Sequence, residues 1–543
     1  MLSHKILVIL QNPLRKHLYY QIPTNLFFGI RLDAGCSFNE DQRLRERYVR
    51  FNAQELMRTA ARAVGSDCVH IEKMAEGGFN KIFLLTMDNG NEVIARIPTP
   101  IAGPPFYSTA SEVATMDFLR TILDLPIPEV LAHSSTADNP VGSEYVIMER
   151  IRGESLASRW LTLSTNEIKG VMNQLARMEE RLFSYRFPAF GSLYYNEDIP
   201  MGIPLTSAER FCIGPIAKRV FWFDERQDLN IDRGPWTQPK DAMTAAASRE
   251  LTWIRRFATP QRRRTFILPT QELLDPSEHS SLLSQYLLAA HFLVPQDTTV
   301  CQPTLRHPDL SLPNIILEPN SSKIISFIDW QDTAILPLFM QAGYPAFCEH
   351  ELSRPQSIKR PELPDDFDRL SDSEKQKAWI KHRLEEGNLY YTAATGLGNK
   401  LHYKTMRLKN IGLLQFLISQ TGYPWDADYI NLKMSLVYVA KNWDTFSPEH
   451  PCPIFFTPEE QQTALCEASD WNESASMLSQ MRESMSIDSE GGTEPENFDF
   501  AMNINLEFRM EMVKQAEPHQ RNICWQTWPF KDDDDQSPAP PIY

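Results

Sequence analysis

Residues 305–332 read LRHPDLSLPNIILEPNSSKIISFIDWQD and place His307, Asp309, Asn314, Asp329 and Asp332 among short apolar runs. Asn314 follows Asp309 by five positions, and the runs IIL and IISFI are joined by the turn-forming EPNSSK. Two β-rich runs around such a turn predict a small hairpin. A hairpin brings its outer ends together, so Asn314, before the first strand, and Asp329, after the second, become neighbours. An amide oxygen beside a carboxylate can hold Mg²⁺ and leave positions for water and phosphate oxygens. Asp309, one loop turn away, can then accept a hydroxyl proton as a general base. Phosphoryl transfer requires that set: metal on the phosphates, an oriented acceptor, and stabilised charge. The spacing H-x-D-x-x-x-x-N with a later aspartate matches the catalytic-loop and metal-aspartate pattern of kinases. His307 reads as a brace for the loop. Asp332 divides evenly between a supporting member of the metal site and a solvated turn.

Upstream residues must supply the rest of the site. EGGFNKIF offers Gly77 and Gly78 between two strands, where the backbone could approach phosphates. VIAR ends a β-rich run with Arg96, at the position of a phosphate-gripping cation. Glu112 opens the next predicted helix and is the expected partner of Arg96. Met148 and Glu149 close the strand-like EYVI, where backbone groups could receive adenine. Each has a plainer reading: a β-turn, a surface arginine, a glutamate favoured by the helix dipole, an edge residue. Their order and separation favour the nucleotide site. Phe221, Trp222 and Phe223 read as core more than as a substrate platform.

The elements that must position these residues follow from periodicity. Residues 40–64 predict a helix. Next come a strand, the glycine turn, a second strand, the hairpin turn DNGN and a third strand. Residues 111–123 predict a helix capped by Ser111, followed by the strand EYVIME. Residues 165–185 and 281–293 predict helices, and 195–265 is irregular and aromatic, an insertion packed by its own rings. Beyond residue 345 the pattern is mainly helical, and from 485 it is acidic, as expected of a solvated or disordered tail.

HPD followed by IDW resembles the aminoglycoside phosphotransferase family, the small-molecule branch of the protein-kinase-like fold. EGGFNKIF, ARIPTPIAGP, SEVATMDFL, GSEYVIME, FCIGP and RGPW resemble more narrowly the fungal altered-inheritance-of-mitochondria protein nine group, over residues 45–345 and onward toward 440. The resemblance implies an α+β, two-lobed fold, with a small antiparallel-sheet lobe at 45–150 and a mainly helical lobe at 151–445 that carries the insertion. It also implies ATP and Mg²⁺ use, a small-molecule acceptor and a mitochondrial location. The chain departs from the kinase pattern in lacking a full G-x-G-x-x-G and in carrying arginine at 96, although arginine is usual there in the narrower group. A kinase-like, nucleotide-binding scaffold with little turnover is therefore the second reading. A protein kinase is third, because IDW runs into QDTAILP without a closing A-P-E.

Composition agrees. The 543 residues are 42% hydrophobic and 23% charged, as in a globular protein of several folding units. A formal net charge of −16 argues against a nucleic-acid partner. No apolar run approaches the roughly 18 residues of a spanning helix. The eight cysteines are scattered, as expected of reduced thiols. Residues 1–32 carry Lys5, Arg15, Lys16 and Arg31 and no acidic residue, which predicts a mitochondrial presequence over 1–40. Residues 446–543 form a C-terminal extension.

Overall fold

The computed structural model describes residues 35–540 other than 37, 264–272, 350–359, 427, 489–490, 494, 534 and 536. Most of the expected presequence, residues 1–34, lies outside the described residues. The region predicted as one helix over 40–64 forms two, Glu40–Glu46 and α1 (Ala53–Val64). Asn52 divides them: its side chain accepts from the backbone N–H groups of Gln54 and Glu55, at 3.1 and 3.2 Å, and so starts α1 afresh.

Alternating β-branched and apolar residues then build a five-stranded antiparallel sheet from β1 (Cys68–Glu76), β2 (Asn80–Met87), β3 (Glu92–Pro98), β4 (Val130–Ser134) and β5 (Tyr145–Glu149). Its order is β1-β2-β3-β5-β4. The β2–β3 turn needs Gly90, whose φ of 81° lies in the left-handed region. One face of the sheet buries Leu85, Ala95, Ile97 and Ile147 against Leu56 and Ala60 of α1. β4 was not among the predicted strands; its residues are half-buried and carry little alternation.

The helix after β3, α2 (Tyr107–Thr121), starts four residues before the predicted cap, so Ser111 is buried inside it. The cap comes from elsewhere in the chain. Glu144 accepts from Phe106 N–H at 2.8 Å and from Thr109 Oγ1 at 2.6 Å. A carboxylate at a helix N-terminus answers both the orphan donors and the dipole. Glu112 consequently lies inside the helix, buried, rather than at its exposed start.

The remainder is mainly helical. α3 (Thr165–Ser184) carries a full capping box from Ser164 and Glu167. The insertion is more regular than expected: β6 (Ser192–Tyr195), β7 (Ile203–Pro204) and β8 (Phe211–Gly214) form a sheet of order β6-β8-β7, and α4 (Pro239–Phe257) follows. The strands are two to four residues long, too short for periodicity to register. α4 buries Met243, Ala247, Leu251 and Ile254 at helical spacing, but its alanine-rich sequence gives a weak apolar signal. The insertion packs on the outside of α2. Tyr195 donates its hydroxyl to Asp117 Oδ2 at 2.7 Å, Arg210 pairs with the same oxygen at 2.6 Å, and Tyr107 stacks on Trp222 at 4.7 Å. Of the three aromatics expected in the core, Phe221 is buried, Trp222 half-buried and Phe223 39% exposed.

α5 (Pro276–Leu293) leads to a hairpin of β9 (Ile315–Leu317) and β10 (Ile324–Phe327). Further helices, α6 (Asp372–Gly398), α7 (Ile411–Thr421) and α8 (Ile430–Lys441), complete this lobe. The acidic stretch beyond 485, expected to be solvated, includes α9 (Phe498–Gln515) and buries Trp525, Trp528 and Phe530. Gly35–Cys36 pair antiparallel with Gly492–Thr493. The acidic average concealed aromatic and methionine residues spaced closely enough to make a small core. Among the described residues, no helix is long and apolar enough to cross a membrane.

Candidate active site

The β9–β10 hairpin forms as the spacing predicts, with Ile315 opposite Phe327. One step further out, Ile328 N–H donates to Asn314 O at 3.0 Å, which seats Asp329 beside Asn314. Asn314 is 8% exposed. Its Nδ2 donates to the carbonyl and the Oδ2 of Asp309, at 3.0 and 3.1 Å, so Oδ1 is the acceptor it has left for a cation. Asp309 Oδ2 also accepts from Ser311 Oγ at 3.1 Å. Asp309 is open to solvent in the cleft, yet surrounding protein pushes its carboxyl above the usual range; Ser311 and Asn314 restrain that rise, and Asp329 adds to it.

His307 sits behind this loop. Its Nδ1 accepts from Asp309 N–H at 3.1 Å and its Nε2 faces Ile328 O at 3.0 Å. The ring lies 4.3 Å from that of Trp330, and burial lowers its pKa to about 4. A neutral imidazole with one accepting and one donating nitrogen satisfies both contacts, the geometry of a brace. Arg306 anchors the same loop into the helical lobe through Glu179 at 2.9 Å and the carbonyls of Gln341 and Gly343 at 2.7 and 2.8 Å. Burial would raise the Glu179 carboxyl, but Arg306, His402 and Tyr391 together hold it below the usual range.

Arg96 is delivered by β3, where it stands opposite Ile82 and Val146, 8% exposed. It pairs with Glu112 of α2. Its Nη1 lies 3.8 Å from Asp329 Oδ1, so one guanidinium joins the sheet, α2 and the hairpin. Burial works against its charge, and the two carboxylates outweigh burial. Asp329 is itself pushed above the usual carboxylate range by the surrounding protein, with Arg96 opposing. Asp329 and Asp332 have φ of 67° and 62°, left-handed values that side chains with a Cβ adopt at a cost of roughly 1 kcal/mol each.

Gly77 and Gly78 form the β1–β2 turn, with Gly77 N–H donating to Asn80 O at 3.0 Å. A Cβ at either would meet no protein atom within 4 Å, so no described neighbour demands glycine there. Gly77 is exposed, and the turn is tied to the loop after the hairpin by Asn80, whose Nδ2 donates to Gln331 Oε1 at 2.7 Å. Gln331 in turn donates to Ala102 O at 2.5 Å. Asp332 accepts from Arg219 N–H at 3.2 Å, which makes it a tie to the insertion.

Met148 and Glu149 end β5. Glu149 N–H is occupied by Glu129 O at 2.8 Å, and its carboxylate accepts from Glu129 N–H at 3.2 Å. A backbone donor to adenine would therefore come from beyond Glu149. Asp309 thus contacts Asn314, and Arg96 contacts Glu112 and Asp329; the Ile328–Asn314 backbone bond sets the two groups side by side, with Gly77–Gly78 attached through Asn80 and Gln331. Sequence reasoning missed Gln331, Arg306 and Glu179. Gln331 sits two residues from Asp329 and Arg306 one from His307, and that adjacency was the available signal. Among the described residues no group of three or more His, Cys, Asp or Glu side chains could hold a metal. Asn314 Oδ1 and the Asp329 carboxylate still fit Mg²⁺, which keeps several waters and completes its shell with phosphate oxygens.

The chain is similar to several known proteins. The APH model, described as the phosphotransferase enzyme family, matches residues 70–341, from within β1 to beyond the β9–β10 hairpin. A subtelomeric hrmA-associated cluster protein of Aspergillus fumigatus is 51% identical, covering 87% of this chain and 99% of the relative. Altered inheritance of mitochondria protein 9, mitochondrial, of Clavispora lusitaniae is 26% identical over 73% of this chain and 70% of its own length. Among solved structures, the ADP-bound aminoglycoside phosphotransferase APH(2'')-Ib is similar over 76% of this chain and 96% of that one, at 12% identity and a TM-score of 0.36. The antiparallel sheet followed by mainly helical structure is the α+β architecture that the resemblance implied, and the chain belongs to the phosphotransferase enzyme family.

Proposed function

We propose that the protein transfers the terminal phosphoryl group of ATP, with Mg²⁺, to a hydroxyl or amino group of a small molecule in mitochondria. The observation that carries this reading is Arg96 reaching both Glu112 and Asp329, beside an Asp309 held by Asn314. In it, Asn314 and Asp329 hold Mg²⁺, which when bound offsets phosphate charge. Arg96 holds the inner phosphates, with Glu112 fixing its guanidinium. Asp309 accepts the acceptor's proton as the new bond from phosphorus to the acceptor oxygen or nitrogen forms and the bond to the leaving ADP oxygen breaks. The backbone of Gly77 and Gly78 covers the phosphates, and the end of β5 at Met148 and Glu149 borders adenine. Location draws on the acid-free N-terminus and on relatives that are named mitochondrial.

The test is transfer from γ-labelled ATP into a mitochondrial metabolite extract, with Asp309→Asn as control. A labelled product that appears only with the wild type supports the reading. Absence of any product, with nucleotide bound, would favour the second reading of a nucleotide-binding scaffold, to which the arginine at 96 lends itself. A fusion of residues 1–40 to a fluorescent reporter tests location, and a diffuse cytosolic signal would remove the presequence.

A further inference from the structure

The insertion meets the glycine turn through Arg219, which opens the short helical turn Arg219–Phe221. Its backbone is fixed. Arg219 N–H donates to Asp332 Oδ1 at 3.2 Å, and two residues earlier Ala217 N–H donates to Ser192 Oγ at 3.0 Å. Ser192 Oγ donates in turn to Thr333 O at 3.1 Å, so this stretch is pinned to the loop that follows Asp329. From there the guanidinium reaches Phe79, the residue after Gly78, and its central carbon lies 4.6 Å from the centre of that ring. The ring of Phe223 lies 5.7 Å from the same carbon.

Gly77 and Gly78 have no side chains, so the turn is held from the side by its next residue, Phe79. The Phe79 carbonyl accepts from the N–H and Oγ1 of Thr99, at 2.9 and 3.1 Å. Its ring, half-buried, carries the guanidinium of Arg219. Among the described residues the Arg219 side chain makes no hydrogen bond and has no carboxylate within 4.0 Å. A cation over an aromatic face is attracted by the ring quadrupole, and a planar guanidinium can stack there. Two consecutive glycines otherwise leave a backbone many conformations to surrender when a ligand binds. A contact that fixes the turn beforehand lowers that cost.

We infer that Arg219 is a positioning residue for the nucleotide: stacked on Phe79, it holds the glycine turn in the posture that receives phosphates. The inference rests on the phosphotransferase reading above and deepens it, because it makes nucleotide affinity depend on the insertion. Arg219 acts through Phe79 and does not itself touch the nucleotide. The arrangement is doubled. Asn80 bonds to Gln331, and Phe79 is joined through Arg219 to Asp332, so two adjacent residues of the turn are fastened to two adjacent residues of one loop.

Titration calorimetry with MgATP tests it on wild type, Arg219→Met, Phe79→Leu, the double variant and Phe79→Tyr. A cation held over a half-buried ring corresponds to roughly a 3- to 30-fold change in an equilibrium constant. Arg219→Met and Phe79→Leu should each weaken MgATP by a factor in that range, and the double variant by no more than the larger single loss. Phe79→Tyr keeps the ring face and should stay near wild type. A contact that only packs the fold would lower the unliganded melting temperature and leave MgATP affinity unchanged, and that result overturns the inference. Losses that add in the double variant also overturn it, since Arg219 would then meet the phosphates itself. Should Arg219→Met fail to fold, Phe79→Leu against Phe79→Tyr decides, and equal affinities overturn it. A wild type that binds no nucleotide sinks the phosphotransferase reading and this inference with it; a binding wild type beside unaffected variants sinks this inference alone.

Discussion

Asn80 and Gln331, 251 positions apart, share a hydrogen bond of 2.7 Å that joins the glycine turn of the sheet lobe to the loop carrying Asp329. The two halves of the site are tied before any nucleotide enters. Asn80→Ala should weaken MgATP binding by a few-fold, since one such bond contributes about 0.5–1.5 kcal/mol. The double variant with Gln331→Ala should be no weaker than Gln331→Ala alone, which already removes the shared contact together with its own bond to Ala102. Fully additive losses in a binding assay would show that the tie does not act as a unit.

Asp309→Asn keeps size and polarity but cannot take a proton. Turnover should drop by about 10²–10⁴ while nucleotide affinity stays near wild type. Single-turnover kinetics beside calorimetry separate the two quantities. A variant that turns over normally would take the general-base role away from Asp309.

Asp329→Ala removes the principal carboxylate of the proposed Mg²⁺ site and one of the two neighbours of Arg96. MgATP should raise the wild-type melting temperature, because a ligand that binds only the folded state stabilises it by mass action. In the variant the Mg²⁺-dependent part of that rise should vanish. Equal rises in both proteins, read by differential scanning fluorimetry with and without EDTA, would place the metal elsewhere.

Arg306→Met strands Glu179, which is buried with a side-chain exposure of 1%. Removing one member of a buried pair costs about 3–5 kcal/mol, so the urea midpoint should fall markedly. Glu179→Gln should be milder, since it leaves a neutral group that can still accept from Arg306 and Tyr391.

Burial lowers the pKa of His279 and His402 to about 4, below the 6.5 of an unburied imidazole. The unfolded chain therefore binds more protons than the folded one between those values. Stability from these groups is complete above pH 6.5 and is lost as pH falls toward 4, at up to about 1.4 kcal/mol per pH unit for each. Denaturant midpoints at pH 7.5, 6 and 5 check the slope, and His402→Gln should flatten it.

What could be read from the residues was what local spacing encodes. The hairpin that brings Asn314 beside Asp329 depends on sixteen consecutive positions, and β2 with β3 depends on one Asn-Gly turn. What could not be read depends on partners far along the chain. Glu144 caps α2 from 38 positions beyond Phe106. Glu179 meets Arg306 across 127 positions. Ser111 had the chemistry of a cap and lost to a carboxylate that only the folded chain brings near. The insertion was opaque because its strands are shorter than any period that reveals them, and the tail because its acidic average hid Trp525 and Trp528.

The grip of the insertion on α2 has a temporal consequence. To swing Glu112 away from Arg96, α2 would have to break the Asp117 contacts to Tyr195 and Arg210 and part Tyr107 from Trp222 at the same moment. Contacts on the outside of the helix thus oppose its leaving Arg96. On the proposed function, output would be metered by the arrival of nucleotide and acceptor, and a rapid-mixing trace from nucleotide-free protein should begin at its steady slope, with no lag.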